Sequence, residues 1–336
     1  MTVLYVQQQG AVVRRHAEQI QVIHKQQVLS SLSVREVEQV VLYGNVQITT
    51  QAAALLLQHQ VDVVFLSYRG SYRGRLSQGG ARYARLRHAQ LQLSGDEARS
   101  LEVARHIVKA KLRHQIDLLG QLADQVPTQA SELQRAAAGI DQMRRTCERA
   151  SNLDELRGYE GKAGVYYFGG LRRLLNPRWG FDGRKYHPPP DPFNALLSFG
   201  YSLLLKDVTA IIEIVGLDPY MGCFHALEYG RPSLALDLME EFRPLAVDPA
   251  MLRLVLDGTL TPERFTFTGS SRRPVELGPE LIPIVIEAYE RRMNETVAYG
   301  PREMAYTLRY ALEQQARKFA RMVLSGRSEF TGVAGR

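Results

Sequence analysis

The period of the apolar pattern changes once along this chain, near Gly79-Gly80. Before that point, short β-branched or alternating runs recur at Thr2–Val6, Ala11–Val13, Gln19–Ile23, Gln27–Leu29, Val37–Tyr43 and Val61–Leu66. Gly10, Gly44 and Asn45 punctuate them, and one helix interrupts from Thr50 to His59. Beyond it the spacing is helical. Leu101, Ala104, Val108, Leu112, Ile116 and Leu119 trace one face; Pro127 breaks the pattern and Gln129–Ala150 resumes it. A strand pattern and a helix pattern each bury their apolar face in only one kind of element. The expected fold is therefore α+β and multidomain. A small β-rich amino-terminal domain spans 1–76, a linker 77–81, and a larger all-α domain 82–336.

Within the second part, His187-Pro-Pro-Pro190 must be extended, and Asp191 caps an apolar helix with Pro192 in its first turn. That helix runs to about Gly216. Phe265–Thr268 reads as a short strand. A last long helix runs from about Pro279 to Leu324, with a break near Gly300-Pro301. No repeat at solenoid period is present.

Charge divides along the same line. The net charge is +7, and residues 1–90 hold ten Lys and Arg against four Asp and Glu. From Val63 to Gly95 there is no acid, yet Arg69, Arg73, Arg75, Arg82, Arg85 and Arg87 fall there. Such a field suits a polyanion; the other reading is a solvated basic face. The tandem Ser67–Gly70 and Ser71–Gly74 alternates Tyr with Arg, as base stacking or a plain hairpin tip would. Two cysteines, Cys147 and Cys223, make neither a disulfide framework nor a zinc site and fit a reducing cytoplasm. No signal peptide is expected. The apolar run Ala195 to Leu205 is too short for a bilayer and reads as a buried helix, so no membrane is expected.

One residue breaks the helical pattern. Leu153, Leu156, Ala163, Tyr167, Leu171 and Leu174 form an inward stripe whose missing slot is Glu160, flanked by Gly158 and Gly161. A lone buried carboxylate is too costly, so Glu160 needs a metal, a base or a proton. Further on, Pro232 starts a helix that Pro244 ends. Asp237, Glu240 and Glu241 share one face of it, and Leu234, Ala235, Leu238 and Phe242 take the other. Three like charges need a cation, or Arg231 and Arg243, to offset them. His225 lies just before, after the turn-rich Gly216-Leu-Asp-Pro219 and Gly222. One imidazole with two carboxylates favours Mg²⁺ or Mn²⁺ over structural zinc. With the basic amino-terminal part, that suggests phosphodiester chemistry. Spacing alone does not bring these groups together. A P-loop, a nucleophile elbow and a dinucleotide fingerprint are all absent.

Four segments carry a resemblance. They are Arg157-Gly-Tyr-Glu-Gly161; Phe181-Asp-Gly-Arg184 with Pro188–Asp191; Asn194-Ala-Leu-Leu-Ser-Phe-Gly-Tyr201; and Gly216-Leu-Asp-Pro219 through His225 to Phe242-Arg-Pro244. In this order and spacing the chain resembles the CRISPR-associated spacer-acquisition integrase family, the universal large adaptation subunit. The resemblance covers essentially the whole chain. It implies a metal-dependent DNA endonuclease and integrase that inserts short foreign fragments into a repeat array by transesterification. It implies a homodimer formed through the β-rich domain, and two dimers clamping a small ferredoxin-like companion subunit around double-stranded DNA. By motif position the metal ligands are Glu160, His225 and Glu240, with Asp237 a further acidic position nearby. The last ligand is Asp in some members and Glu here. Arg184 and the cluster with Arg82, Arg85 and Arg87 are candidate phosphate contacts. Two other functions share these features: a metal-dependent nuclease acting on branched DNA in repair, and a non-catalytic DNA-binding scaffold.

Overall fold

The computed structural model describes residues 2–66, 72–77, 81–185, 188–272, 274–278, 280–299 and 304–333. The side chains of Thr2, Glu38, Tyr72, Ala81, Arg82, Ala298, Tyr299 and Met304 are also outside that description. Outside it too lie most of the tandem Ser67–Gly74, together with Arg69, Gly79-Gly80, His187, Pro279 and Gly300-Pro301. The chain forms two compact units, Met1–His88 and Ala89–Arg336.

The first unit contains β1 (Thr2–Val6), β2 (Val12–His16), β3 (Gln19–His24), β4 (Gln27–Ser33), β5 (Val37–Tyr43), β6 (Gln47–Ile48), α1 (Thr50–Gln58), β7 (Asp62–Leu66) and β8 (Tyr72–Leu76). One sheet has the order β1-β5-β7-β8, parallel except for the last pair. Its central strand β5 buries Val40, Val41 and Leu42 in succession, as a strand covered on both faces must. The second sheet has the order β4-β3-β2-β6. His24 pairs with Gln27, so β3 and β4 meet across a two-residue turn. Lys25 and Gln26 there have φ of 47° and 67°, the signature of a type I′ hairpin. Neither residue is a usual left-handed one, so the turn carried no sequence signal. Thr49 caps α1 by accepting from the Ala52 N–H. Leu55 and Leu56 of α1 join Val13, Ile20, Leu42 and Val63 in one core.

The second unit is built on α2 (Ala81–Ser94), α3 (Glu97–Gln125), α4 (Ala130–Thr146), α5 (Leu153–Arg172), α6 (Pro192–Val215), α7 (Ser233–Met239) and α8 (Asp248–Leu256). These are followed by β9 (Phe265–Phe267), β10 (Val275–Leu277), α9 (Leu281–Asn294), β11 (Thr296–Tyr299), β12 (Met304–Thr307) and α10 (Leu308–Ser325). The division between units falls inside α2, whose first half belongs with the strands; there the Arg75 guanidinium lies 5.4 Å from the Tyr83 ring centre. Gly139 and Gly170 bring α4 and α5 close. A Cβ on Gly139 would come within 2.8 Å of the Tyr166 ring, and one on Gly170 within 3.0 Å of Ala136. Asp191 caps α6 as expected, and Gly216 ends it at φ 94°. This helix is long and apolar enough to cross a membrane, but most of it is buried in the unit's core.

Three expectations for this unit change. It is not all helical, because β9 pairs with β10 and β11 with β12. The supposed long carboxy-terminal helix is α9, a hairpin and α10. Thr296-Val-Ala-Tyr299 and Met304-Ala-Tyr-Thr307 supply β-formers, and Thr307 then caps α10 by accepting from the Tyr310 N–H. Nor does Pro244 end the helix that Pro232 precedes. The chain turns more tightly over Glu240–Phe242, widens into a π-type turn over Arg243–Val247, and continues as α8. A widened turn accommodates a residue that lacks an N–H and crowds the preceding turn.

Asp248 ties three helices together. Tyr167 of α5 and Tyr201 of α6 donate to its two carboxylate oxygens at 2.7 Å each. Burial pushes its carboxyl up to about 6. A carboxyl raised in the folded state holds its proton more tightly there than in the unfolded chain. It therefore favours folding most below pH 3.8 and progressively less as pH rises through 6. Asp248→Asn abolishes that loss. Denaturant titrations should show the variant gaining on the natural protein by about 2–3 kcal/mol between pH 4 and pH 8. A pH-independent difference would place the titration elsewhere.

Candidate metal centre

Glu160 is carried on α5, which Asn152 caps by accepting from the Glu155 N–H. On that helix Leu156, Ala163, Tyr167 and Leu171 are buried, as the stripe requires, while Glu160 keeps 22% of its side chain exposed. Gly158 and Gly161 beside it face open space.

The loop that follows α6 delivers His225. Gln90 pins its start, donating to the Asp218 and Met221 carbonyls at 2.8 and 2.9 Å and accepting from the Asp218 N–H at 2.9 Å. Gly222 then lies on α7 so closely that a Cβ would be 2.6 Å from an Asp237 oxygen. This approach lets the next three N–H groups converge. Cys223 and Phe224 donate to Asp237 Oδ2 at 2.6 and 2.9 Å, and His225 donates to Oδ1 at 2.9 Å. The His225 Nδ1–H also donates to Oδ1, at 2.7 Å. Asp237 is fully buried, and this web supplies its counter-charge; a charged acceptor of this kind contributes about 1.5–3 kcal/mol per bond. It also fixes the imidazole tautomer, leaving the Nε2 lone pair 3.8 Å from Glu240 Oε1. Arg157 holds the same loop to α5 through the Phe224 carbonyl at 2.7 Å.

Glu240 is buried. Arg243 approaches its Oε1 at 3.2 Å and Lys111 its Oε2 at 2.5 Å. Burial alone would raise its carboxyl, but above all Arg243 and then Lys111 outweigh it and hold the group at about 2. Lys111, on α3, also forms an ion pair with Glu160. One ammonium thus bridges the two carboxylates that the sequence could not show meeting.

The acidic face expected of this helix does not exist as one surface. Asp237, Glu240 and Glu241 are all buried, and Glu241 points away from the centre. It accepts from the Val333 N–H at 3.0 Å, and burial pushes its carboxyl up to about 7. Asp237 stands behind His225 rather than beside Glu160.

Among the described residues, no three His, Cys, Asp or Glu side chains already surround one point. The donor set nonetheless fits a hard divalent cation. It offers two carboxylates, one ion-paired on both oxygens and held at about 2, an oriented imidazole nitrogen, and a position already filled by positive charge. A cavity of about 470 Å³ opens alongside, lined by Lys111, Glu160, Arg172, Arg184, Lys185 and Arg243 among others. Arg184 lines it while donating to Asn194 Oδ1 at 2.8 Å and Ser198 Oγ at 3.0 Å, and its guanidinium stacks over Tyr201. It braces the wall as well as charging it. Of the amino-terminal arginines, Arg73 and Arg85 are exposed and Arg87 is half-buried; the side chain of Arg82 is not described.

Sequence reasoning missed Lys111, Gln90 and Gln115. Lys111 and Gln115 fall on the buried arc of α3 between the apolar marks at Val108, Leu112 and Ile116, the same kind of anomaly that exposed Glu160.

Residues 4–291 match the family model described as CRISPR associated protein Cas1. The chain is 35% identical over 328 residues to a CRISPR-associated endonuclease Cas1 of Thermus thermophilus, covering 98% of each. It is 37% identical over 273 residues to one of Methanopyrus kandleri, covering 76% of this chain and 80% of the relative. It spans only 50% of the length of a Cas4/Cas1 fusion from Rhodospirillum rubrum and 58% of one from Geobacter sulfurreducens. Its fold is that of a Cas1 protein from Thermotoga maritima, at TM-score 0.80 and 24% identity, covering 97% of each chain. It is also that of a casposase bound to integration product, at TM-score 0.84 and 21% identity, covering 98% of each. With the family model matched over most of its length, the chain belongs to the CRISPR associated protein Cas1 family.

Proposed function

We propose that this chain is a metal-dependent DNA endonuclease and integrase, which inserts short foreign DNA fragments into a repeat array by transesterification. The observation that carries this reading is the convergence of Glu160 and Glu240 on one cationic position, with the Asp237-oriented His225 beside them. The endonuclease names of its relatives and the integration complex among its structural neighbours support the same reading. Glu160, His225 Nε2 and Glu240 are the residues that would hold Mg²⁺ or Mn²⁺. Such an ion supplies Lewis-acid polarisation of a phosphoryl oxygen.

The chain's own groups do the rest. Asp237 keeps the imidazole turned with Nε2 inward. A His225 nitrogen used as a ligand has no lone pair left to take a proton, so His225 is not the general base. Arg243 and the basic cavity wall favour a phosphodiester and the negative charge that develops on it. The fragment's 3′-hydroxyl oxygen bonds to the repeat phosphorus as the old P–O3′ bond breaks, so one phosphodiester replaces another. The β-rich unit is assigned to homodimer contacts, a small ferredoxin-like companion to bridging two dimers, and the cytoplasm to the place of action. A neighbouring Cas6-RT-Cas1–Cas2 assembly supports a partner of this kind.

The test is joining. The protein and its companion are incubated with Mn²⁺, a short duplex with free 3′-hydroxyls and a supercoiled plasmid carrying a repeat. Joined products are expected. Cleavage alone would favour a repair nuclease, and tight binding without either reaction a scaffold. Glu160→Gln should lower both reactions by about 10²–10³-fold with the fold intact by circular dichroism. Asp237→Asn should weaken Mn²⁺ binding by about 10–100-fold through the mis-set imidazole.

The arginines of the first unit are assigned to phosphate contacts. Neutralising Arg82, Arg85 and Arg87 together should reduce the slope of log affinity against log salt by up to about 2.7, near 0.9 per lost contact. An unchanged slope in filter binding removes the cluster from the DNA footprint.

A further inference from the structure

Joining requires the attacking hydroxyl to lose its proton, and the residues around the metal centre are poorly suited to take it. His225 has no lone pair left once it serves as a ligand, and Asp237 already accepts four hydrogen bonds. Arg243 and Lys111 hold Glu240 at about 2, and a carboxyl that acidic is a weak base. The acceptor has to stand elsewhere on the cavity wall.

Asp248 stands there. It begins α8, is 1% exposed, and lines the cavity of about 470 Å³ that Glu160 also lines. The Tyr201 hydroxyl donates to its Oδ1 and the Tyr167 hydroxyl to its Oδ2, each at 2.7 Å. The two tyrosines differ in access: Tyr201 lines the cavity with Asp248, whereas Tyr167 is fully buried. Besides the tyrosines, the charged groups facing Asp248 are Arg243, from the segment between α7 and α8, and Arg184, from the loop before α6. Their guanidiniums lie 4.7 and 5.2 Å from the Tyr201 ring centre. Because Arg243 also pairs with Glu240, contacts run unbroken from that carboxylate through Arg243 and Tyr201 to Asp248.

Resting on the metal-dependent transfer reading above, we propose that Tyr201 and Asp248 form the proton exit of the reaction: Tyr201 touches the attacking hydroxyl, and Asp248 takes the proton through it. The O–H bond of the 3′-hydroxyl, or of water in cleavage, breaks as its proton passes to the Tyr201 oxygen. In the same motion the Tyr201 proton passes to Asp248 Oδ1. The freed electron pair forms the new P–O bond. The old P–O3′ pair leaves with the departing oxygen, which takes a proton from solvent. Asp248 then returns its proton to solvent through Tyr201. No tyrosinate forms, because burial pushes the Tyr201 hydroxyl well above its ordinary value. Burial likewise pushes Asp248 up to about 6, which leaves it deprotonated at neutral pH and still basic enough to accept.

The test is a pH series of single-turnover joining at saturating Mn²⁺, with the same companion, duplex and plasmid. It compares the natural protein with Asp248→Asn, Tyr201→Phe and Tyr167→Phe, each checked for fold by circular dichroism. The natural rate should rise about tenfold per pH unit below about 6 and level off above it, since the acceptor must be deprotonated. Asp248→Asn and Tyr201→Phe should each lower the plateau by about 10²–10⁴-fold and erase the rise. The two together should cost no more than either alone, as members of one unit do. Tyr167→Phe removes an equivalent hydrogen bond from the same carboxylate, and should keep both the rise and the plateau. Equal losses in the two tyrosine variants, or an unaltered rise in Asp248→Asn, overturn the proposal. Should Asp248→Asn not fold, Tyr201→Phe decides, because it keeps the ring beside Arg184 and Arg243. If the natural protein neither binds Mn²⁺ by calorimetry nor joins, the metal-dependent reading fails and this proposal with it. If it does both, and Asp248→Asn binds Mn²⁺ and joins at the natural rate, only the proton exit falls.

Discussion

Buried negative charge must be answered, and Asp237, Glu240, Glu241 and Asp248 bury four carboxylates along one short stretch of chain. Each is answered differently. Asp237 is held by backbone N–H groups and the His225 ring, and Glu240 by Arg243 and Lys111. Glu241 and Asp248 are met by neutral donors, the Val333 N–H and the Gln315 side chain for the first and two tyrosine hydroxyls for the second. The chemistry follows from that division. Burial pushes Glu241 to about 7 and Asp248 to about 6, while the cations hold Glu240 at about 2. Glu240, assigned to the metal centre, is kept charged, while Glu241 and Asp248, which brace the fold, are pushed toward the protonated form.

Local backbone geometry makes this sorting possible. On a regular helix Glu240 and Glu241 point about 100° apart, on either side of Asp237. The tighter turn and the π-type turn that follow keep the chain helical past Pro244 while Glu240 faces α3 and Glu241 faces the carboxy-terminal segment. On that side Gly332 packs against Ala110, where a side chain would clash with Ala110 and with Glu241. The His114 ring faces the Glu241 and Val333 carbonyls, at 3.0 and 2.9 Å. Burial disfavours the charged ring, and a neutral imidazole has one N–H to give. The Glu241 carboxylate and the Phe319–Phe330 contact therefore share in fixing the carboxy-terminal segment.

What the sequence disclosed follows the strength of each signal. The runs of β5 and β7, the apolar α6 with its Asp191 cap, and Glu160 on the inward side of α5 all depend on periodicity that needs no tertiary knowledge. The Lys25-Gln26 turn was silent because its residues are atypical for positive φ. The β11–β12 hairpin was hidden because two four-residue strands offer little periodicity of their own between the helices that flank them. Lys111 was hidden for a different reason. A lysine at the edge of an apolar helical face usually snorkels to water, and only the approach of α5 and the turn after α7 prevents it here. Asp237 could be placed near the site by motif, but its role required Gly222 to bring three N–H groups onto it, which is a fact of packing.

The three proposed ligands are not equally built. His225 is locked by Asp237, and Glu240 is clamped by Arg243 from its own helical segment, so these two form a rigid pair. Glu160 comes from α5, remains 22% exposed, and is tied to that pair through Lys111. Closing the centre is therefore a matter of how α5 sits against α3 and the segment after α7, with one cation between them. Gly139 and Gly170 fix α5 against α4, and Tyr167 fixes it to Asp248 of α8. Those contacts leave the Glu160 side chain, rather than the helix, as the part that adjusts. From that fixed helix Glu160 reaches Lys111 through its side chain alone, so the length of a glutamate is what lets the carboxylate span from α5 to α3.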